Sequence, residues 1–192
     1  MTADPIARFH RWFAQARAAR IMQPDAMALA TADARGRPTV RMVLLKHADR
    51  DGFVFYTNGH SRKGRELRRN AHAALAFHWD RLGRQVRIEG PVEEVDAAEA
   101  DAYWATRPRA SQLAALASDQ SAPIRSRDVL VARWRALKRR HRGAAVARPP
   151  HWTGYRVRPR SIEFWTHREH RLHDRELYTQ TPRGWARSRL QP

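Results

Sequence analysis

The stretch from Arg41 to Lys63 constrains the fold more than any other part of the chain. It reads RMVLLK, then HADRDG, then FVFYTNGHSRK. Arg41 to Lys46 is a short apolar run flanked by cations. Phe53 to Thr57 is made of aromatic and β-branched residues, which suit a pleated, half-buried surface. Asp51-Gly52 supplies a turn between them, so the spacing predicts two strands paired as a hairpin. Side chains alternate along a strand, which puts Arg41, Val43 and Leu45 on one face and Met42, Leu44 and Lys46 on the other. Asn58-Gly59 breaks the second run, and Ser61-Arg62-Lys63 opens a polar segment with helical spacing. Free backbone N–H groups at a helix start, with Ser, Arg and Lys beside them, make an anion site. A basic edge hairpin with solvated Arg and Lys would use the same residues.

Composition narrows the classes without choosing among them. The chain has 192 residues and a formal net charge of +18 at pH 7. That length suits one domain with one sizeable core, so residues 1–192 are read as a single unit, with an N-terminal helix and arm over 1–25. No run of about eighteen apolar residues is present, which excludes a helical membrane span. The N-terminus, MTADPIARFHRWF, lacks the apolar centre of a secretory signal. With no cysteine, disulfides and thiolate chemistry are excluded; this is compatible with a reducing cytoplasm, the expected location, without establishing it. The positive charge admits nucleic acid, an anionic surface or a small anionic ligand as partner. Its arginines are spread along the chain instead of gathered in one tail, which weakens the polybasic-arm reading.

Asp4 to Arg20 reads as an amphipathic helix, with Ile6, Phe9, Phe13 and Ala16 at helical spacing and Asp4-Pro5 as N-cap and first position. Ala26 to Ala32 reads as a strand ending in the turn from Asp33 to Gly36. A helix around Gly64 to Asn70 precedes an apolar run, Ala73 to Trp79, closed by Asp80 to Gly83. Gln85 to Glu94 alternates, and a second hairpin follows. Asp96 caps a helix through Thr106, ended by Pro108; Ser111 to Ala117 and Ser126 to Arg142 are further helices. In the last, Val131, Trp134 and Leu137 face inward, and Arg133, Arg135, Lys138, Arg139 and Arg140 outward. Tyr155 to Val157, Ser161 to Trp165, Arg171 to Tyr178 and Trp185 to Leu190 read as closing strands, with Pro182-Arg-Gly as a turn. Many antiparallel hairpins with a few helices imply an α+β domain whose sheet must close or be covered.

No dinucleotide, P-loop, nucleophile-elbow or zincin motif is present. His167, His170 and His173 at strand-like spacing do not converge with a carboxylate, so no metal site is assigned. Arg133 to Arg142 is the best nucleic-acid segment, but Trp134 sits at an inward position and serves the core better than a base. Tyr103 and Arg107, four residues apart, share one helix face or its end and make a second candidate anion site with Lys46 and Ser111.

RMVLLK, FVFYTN and SRKGREL at this spacing resemble the flavin-binding core of the pyridoxine/pyridoxamine 5′-phosphate oxidases. RQVRIEG, RPRASQ, SDQS, IEFW and EHRLHDR follow in the family's order, and together the segments span about Arg8 to Pro192. The resemblance implies an FMN-binding split β-barrel, mostly antiparallel with flanking helices, over residues 26–192. It further implies a homodimer with its FMN sites at the subunit interface. Residues Arg41, Met42, Val43, Leu44, Leu45 and Lys46 would border the cofactor. Arg41, Arg62 and Lys63 would hold its phosphate, with Tyr56, Thr57 and Ser61 at the same loop, and Gln85 would bond the ring edge. Gln120, Ser121, Trp165 and Arg175 would complete the site from the partner subunit. Lys46, Tyr103, Arg107 and Ser111 would grip the substrate phosphate. Arg171 and His173, alternating on one strand face, would lie over the substrate ring as the catalytic pair. The implied reaction converts pyridoxamine or pyridoxine 5′-phosphate to pyridoxal 5′-phosphate, with O2 as acceptor and H2O2 as product, in vitamin B6 metabolism.

Two departures stand out. The family often carries an N-terminal arm with Arg and Tyr over the substrate, and this chain is expected to lack it. Gln23 stands where an acidic residue is usual. Both leave room for a related flavin oxidase acting on another ring, such as a phenazine precursor, although a phosphate-free precursor would not need Lys46, Arg107 and Ser111. The non-enzyme alternative is a basic nucleic-acid-binding module on the same scaffold.

Overall fold

The computed structural model describes residues 4–192; Met1 to Ala3 of the expected arm lie outside them. Helix α1 (Pro5–Ala18) begins where Asp4 accepts hydrogen bonds from the Ile6 and Ala7 amides, and Pro5 occupies the first position, where no N–H is needed. Strands β1 (Ala26–Ala32), β2 (Pro38–Leu44), β3 (His47–Ala48) and β4 (Phe53–Asn58) follow. Helix α2 (Arg62–Arg69), with Ser61 as its N-cap, leads to β5 (His72–Trp79) and β6 (Arg84–Glu94). Three helices come next: α3 (Ala97–Thr106), α4 (Arg109–Ala117) and α5 (Arg127–Arg140). The chain closes with β7 (Trp152–Val157), β8 (Ser161–Thr166), β9 (Asp174–Thr181) and β10 (Gly184–Leu190).

Among the described residues every strand pair is antiparallel. One path of the sheet runs β10-β9-β8-β6-β5-β1-β2, and a branch runs from β6 through β7 to β4 and β3. Strand β6 belongs to both parts. Its first half, Arg84 to Glu89, pairs with β8, while Val92 to Glu94 pair with β7. The corner between them is Gly90. A Cβ there would lie 1.8 Å from the Arg158 carbonyl oxygen, so no side chain fits where the two backbones cross. The curled antiparallel sheet with its five helices is the split barrel that the sequence implied.

Helix α1 packs its apolar face on the core side of this sheet. Phe9 is fully buried, edge-on to Phe53 at 4.9 Å and 5.2 Å from Phe77, and Trp12 packs edge-on against Phe164. Burying one such side chain stabilises the fold by roughly 1.5–3 kcal/mol. Leu29, Leu75, Val86, Ile88 and Ile162 supply the strand side of the same core. Helix α5 buries none of its residues fully. Its Trp134 and Leu137 pack instead on a satellite cluster of Trp104, Leu113, Val146 and Trp152, and the Trp134 indole N–H donates to the Ala110 carbonyl. Trp134 is therefore a packing residue, as its inward position indicated.

Two expectations are corrected. Strand β2 does not form a hairpin with β4; it pairs with β1, Leu29 opposite Arg41. After Leu44 the chain crosses to the other branch, the Leu45 amide bonding to Asp25 and the Lys46 amide to Val54. The Asp49–Gly52 turn is real but joins β4 to the two-residue β3, with Asp49 accepting from the Asp51 and Gly52 amides. The other correction concerns Arg171 and His173, which precede β9 instead of alternating within it. His170 and Arg171 adopt left-handed φ angles of 54° and 61°. Two such residues in succession turn the chain and cannot continue a strand.

Candidate active site

Helix α2 is set so that its first turn closes on the end of β4. Gly64 makes this possible, because a Cβ there would lie 2.2 Å from the Gly59 carbonyl oxygen. Ser61 Oγ accepts from the Gly64 amide at 3.4 Å. Lys63 is buried, its Nζ 3.2 Å from Thr57 Oγ1 and 3.4 Å from Ser61 Oγ. Among the described residues no carboxylate pairs with it. Burial, and then the charge of Arg41, lower its pKa from 10.5 to about 8, against the opposing pull of Glu66. A buried ammonium held by two hydroxyls is an anion site in search of a counter-charge. Arg41 stands beside it, donating to the Leu29 carbonyl, to Thr31 and Thr39, and to Glu66. Arg62 donates through Nε to Glu66 at 2.9 Å and is otherwise exposed.

Lys63, Thr57 and Asn58 form one end of a cleft of about 720 Å³, whose other walls include Met42, Val43, Leu44, Lys46, Tyr103, Arg107, Ser111 and Trp152. At the far end the Arg107 guanidinium lies 4.6 Å from the Trp152 ring and 5.1 Å from Trp104. Its Nη1 is buried with no hydrogen-bond partner, and burial lowers its pKa. Lys46 is already paired with Asp25 at 3.3 Å, so Arg107 is the cation with bonding capacity to spare. Tyr56 stacks on Tyr103 at 4.0 Å and lies parallel to Trp152, forming an aromatic wall. Burial raises the pKa of both tyrosines, so both phenols stay neutral.

Gln120 and Ser121 sit on the same chain's cradle, which corrects their expected origin in a partner. Gln120 Oε1 accepts from Thr57 Oγ1 and the Asn58 amide, and Ser121 Oγ accepts from the Arg62 amide at 3.2 Å. The connection after α4 is long enough to fold back over β4, which sequence spacing alone does not reveal. Leu45 faces the core instead of the cleft, as alternation from Leu44 requires.

Gln85, Trp165 and Arg175 lie elsewhere, side by side across three strands: Gln85 opposite Trp165, and Trp165 opposite Arg175. Arg175 is clamped by buried Glu163 at 2.8 Å. His173 joins this row, its ring 4.6 Å from Trp165, with Nδ1 accepting from the Arg168 amide. None of these residues, nor Arg171, lines the cleft. One chain thus carries two separate groups, a cationic cleft and a polar row. Trp152 and Glu66 belong to the first and were not singled out from the sequence.

Residues 13–141 match the family model described as pyridoxamine 5′-phosphate oxidase, and residues 152–192 match that of the pyridoxine 5′-phosphate oxidase C-terminal dimerisation region. A pyridoxine/pyridoxamine 5′-phosphate oxidase of Sphingopyxis alaskensis is 56% identical over the whole chain and 89% of its own length. Its counterpart in Gluconobacter oxydans is 53% identical over the whole chain and 96% of its own length. The crystal structure of PhzG from Burkholderia lata 383, in complex with tetrahydrophenazine-1-carboxylic acid, superimposes with a TM-score of 0.94 at 36% identity, over 98% of this chain and 93% of that one. A pyridoxamine 5′-phosphate oxidase-related, FMN binding protein from Nostoc punctiforme shares the fold, with a TM-score of 0.77 at 15% identity over the full length of both chains. The matches cover nearly every element described above, and on them this chain belongs to the pyridoxine/pyridoxamine 5′-phosphate oxidase family.

Proposed function

We infer that this protein is an FMN-dependent oxidase that converts pyridoxamine or pyridoxine 5′-phosphate to pyridoxal 5′-phosphate, with O2 as acceptor and H2O2 as product. The observation that carries the reading is a single cleft lined by two under-paired cations, the buried Lys63 and the half-buried Arg107 with its enclosed, unbonded Nη1. Two phosphates, one on the cofactor and one on the substrate, are what such a cleft is built to hold. The residues present fit FMN: a buried ammonium without a carboxylate, a helix start that only glycine lets close, and a flanking arginine pair. FMN, when bound, would supply the hydride acceptor for the substrate C4′, with dioxygen as the terminal oxidant.

The chain's own residues bind and orient. Lys63, Thr57 and Ser61 hold the cofactor phosphate, with Arg41 and Arg62 beside them. Gln120 and Ser121 fix the loop over it. Arg107, Lys46, Ser111 and Tyr103 hold the substrate phosphate, and the stacked rings of Tyr56, Tyr103 and Trp152 exclude water from that end. Gln85, Trp165, Arg171, His173 and Arg175 act on the partner's cleft, so the site is completed by a homodimer. The matched dimerisation region, 152–192, contains four of these five and supports that arrangement. In the paired site Arg171 and His173 cover the substrate ring, and orientation supplies the rate.

The unbroken strand ladder supports one oxidase domain over residues 1–192. Among the described residues no helix is long and apolar enough to cross a membrane. The reading places the enzyme in the cytoplasm, with which the lack of cysteine is compatible. The test is anaerobic bleaching of bound FMN by pyridoxamine 5′-phosphate, reversed by air and accompanied by pyridoxal 5′-phosphate. Bleaching by tetrahydrophenazine-1-carboxylic acid but not by the phosphorylated amine would move the chain toward a substrate like the ligand bound by PhzG.

A further inference from the structure

Glu66 lies one helical turn after Arg62 and is buried at 6% exposure. Its Oε2 accepts from Thr31 Oγ1 at 2.5 Å, from Thr39 Oγ1 at 2.6 Å and from Arg41 Nη2 at 3.3 Å. Its Oε1 accepts from Arg62 Nε at 2.9 Å. The two threonines are the link that matters. Each hydroxyl has one proton, and here each donates it to Glu66. Each is thereby left with its lone pairs turned to Arg41, whose Nη1 donates to Thr31 and whose Nη2 donates to Thr39. The carboxylate thus sets the direction of both hydroxyls, and the hydroxyls set the plane of the guanidinium. Burial disfavours this carboxylate, but the bonds from Thr31, Thr39 and Arg62 and the charge of Arg41 hold its pKa at about 2, so it is ionised throughout the working range.

We propose that Glu66 is a positioning residue for cofactor phosphate: it fixes Arg41 through Thr31 and Thr39, and Arg62 directly, so that both flank Lys63 in one rigid cradle. The inference rests on the reading of that cradle as the FMN phosphate site. Three cations and one carboxylate leave two net positive charges, which match a phosphate dianion. Simple Coulomb reasoning opposes the proposal, and that makes it testable. Removing a negative charge beside an anion site should tighten anion binding. Glu66→Gln keeps the shape, but an amide donates from one side and cannot accept from both threonines, Arg41 and Arg62 together. Loss of orientation then outweighs the gain in net charge.

The experiment compares affinity for FMN and for riboflavin, the same ring system without phosphate, by flavin fluorescence quenching in wild-type and Glu66→Gln proteins. Glu66→Gln is expected to bind FMN more weakly by on the order of tenfold, the scale of one lost hydrogen bond to a charged group, with riboflavin affinity within about twofold. Unchanged or tighter FMN binding would overturn the proposal. So would a parallel loss for both flavins, which would mark Glu66 as a support of the fold. If the variant does not fold, Thr39→Val is expected to show the same FMN-specific loss at smaller size, restored in Thr39→Ser; equal FMN affinity in those two variants overturns it. A wild-type protein with no preference for FMN over riboflavin would instead refute the cradle reading beneath it.

Discussion

If Lys63 holds the cofactor phosphate as proposed, FMN binding should depend on pH in a defined direction. In the free protein its pKa is lowered from 10.5 to about 8 by burial and by Arg41. A bound phosphate dianion reverses the balance and favours the ammonium. Cofactor binding therefore takes up a proton wherever the free protein has lost it, and affinity falls as pH rises through the lower value. If binding restores the ordinary pKa, the affinity drops about tenfold between roughly pH 7 and pH 9, because only about one free protein in ten then keeps its ammonium. The phosphate is already a dianion across that range, its second pKa being about 6, and adds no slope of its own. Titration calorimetry in buffers of different ionisation enthalpy should give close to one proton taken up at the upper pH and almost none at the lower. Lys63→Met should bind weakly at both and lose the slope. A flat affinity in the wild type, or an equal slope in Lys63→Met, would refute the assignment of this group.

Two further variants test the geometry. Arg107→Met should raise KM for pyridoxamine 5′-phosphate by about tenfold or more while leaving FMN affinity unchanged, and steady-state kinetics beside a flavin titration would show the split. Because Nη1 of Arg107 has no hydrogen-bond partner, any fall in Tm should be limited to the lost contact with the Trp104 and Trp152 rings, about 0.5–2 kcal/mol, which calorimetry would check. Gly90→Ala drives a methyl to 1.8 Å from the Arg158 carbonyl oxygen and must part β6 from the crossing backbone. A loss of about 3 kcal/mol, or a Tm lower by roughly 6–12 °C, is expected for a chain of this size.

What the sequence revealed was local. Asp4, Ser61, Asp96 and Ser126 each cap the helix they preceded, because a side-chain oxygen and a few amides a turn away decide the matter. The alternation of Val86 and Ile88 against Gln85 and Arg87 placed one strand face correctly for the same reason. What stayed hidden was partner choice across distance. Adjacent runs usually pair, so β2 and β4 looked like a hairpin. The crossing at Leu45 depends on Asp25, which no local pattern connects to it. The resemblance named candidate site residues but not their grouping within one chain. Gln120 reaches back to Thr57 within the chain, and the left-handed turn at His170-Arg171 takes Arg171 out of any strand. Glu66 was invisible because an i,i+4 partner of Arg62 on a basic helix looks solvated. Only the packing of α2 against β1 and β2 puts the two threonines over it.

The separation of the cationic cleft from the row of Gln85, Trp165 and Arg175 bears on heredity as much as on chemistry. If the row of one copy serves the cleft of the other, no single polypeptide owns a working centre. A lesion in Lys63 and a lesion in Arg175, each ruinous when inherited alone, complement one another when both alleles are expressed together. In a mixed pair one centre collects both defects and the other is spared. Random assortment then leaves about a quarter of the centres intact. On that arrangement selection would act on couples of chains, and the damage done by a substitution would depend on the company it keeps.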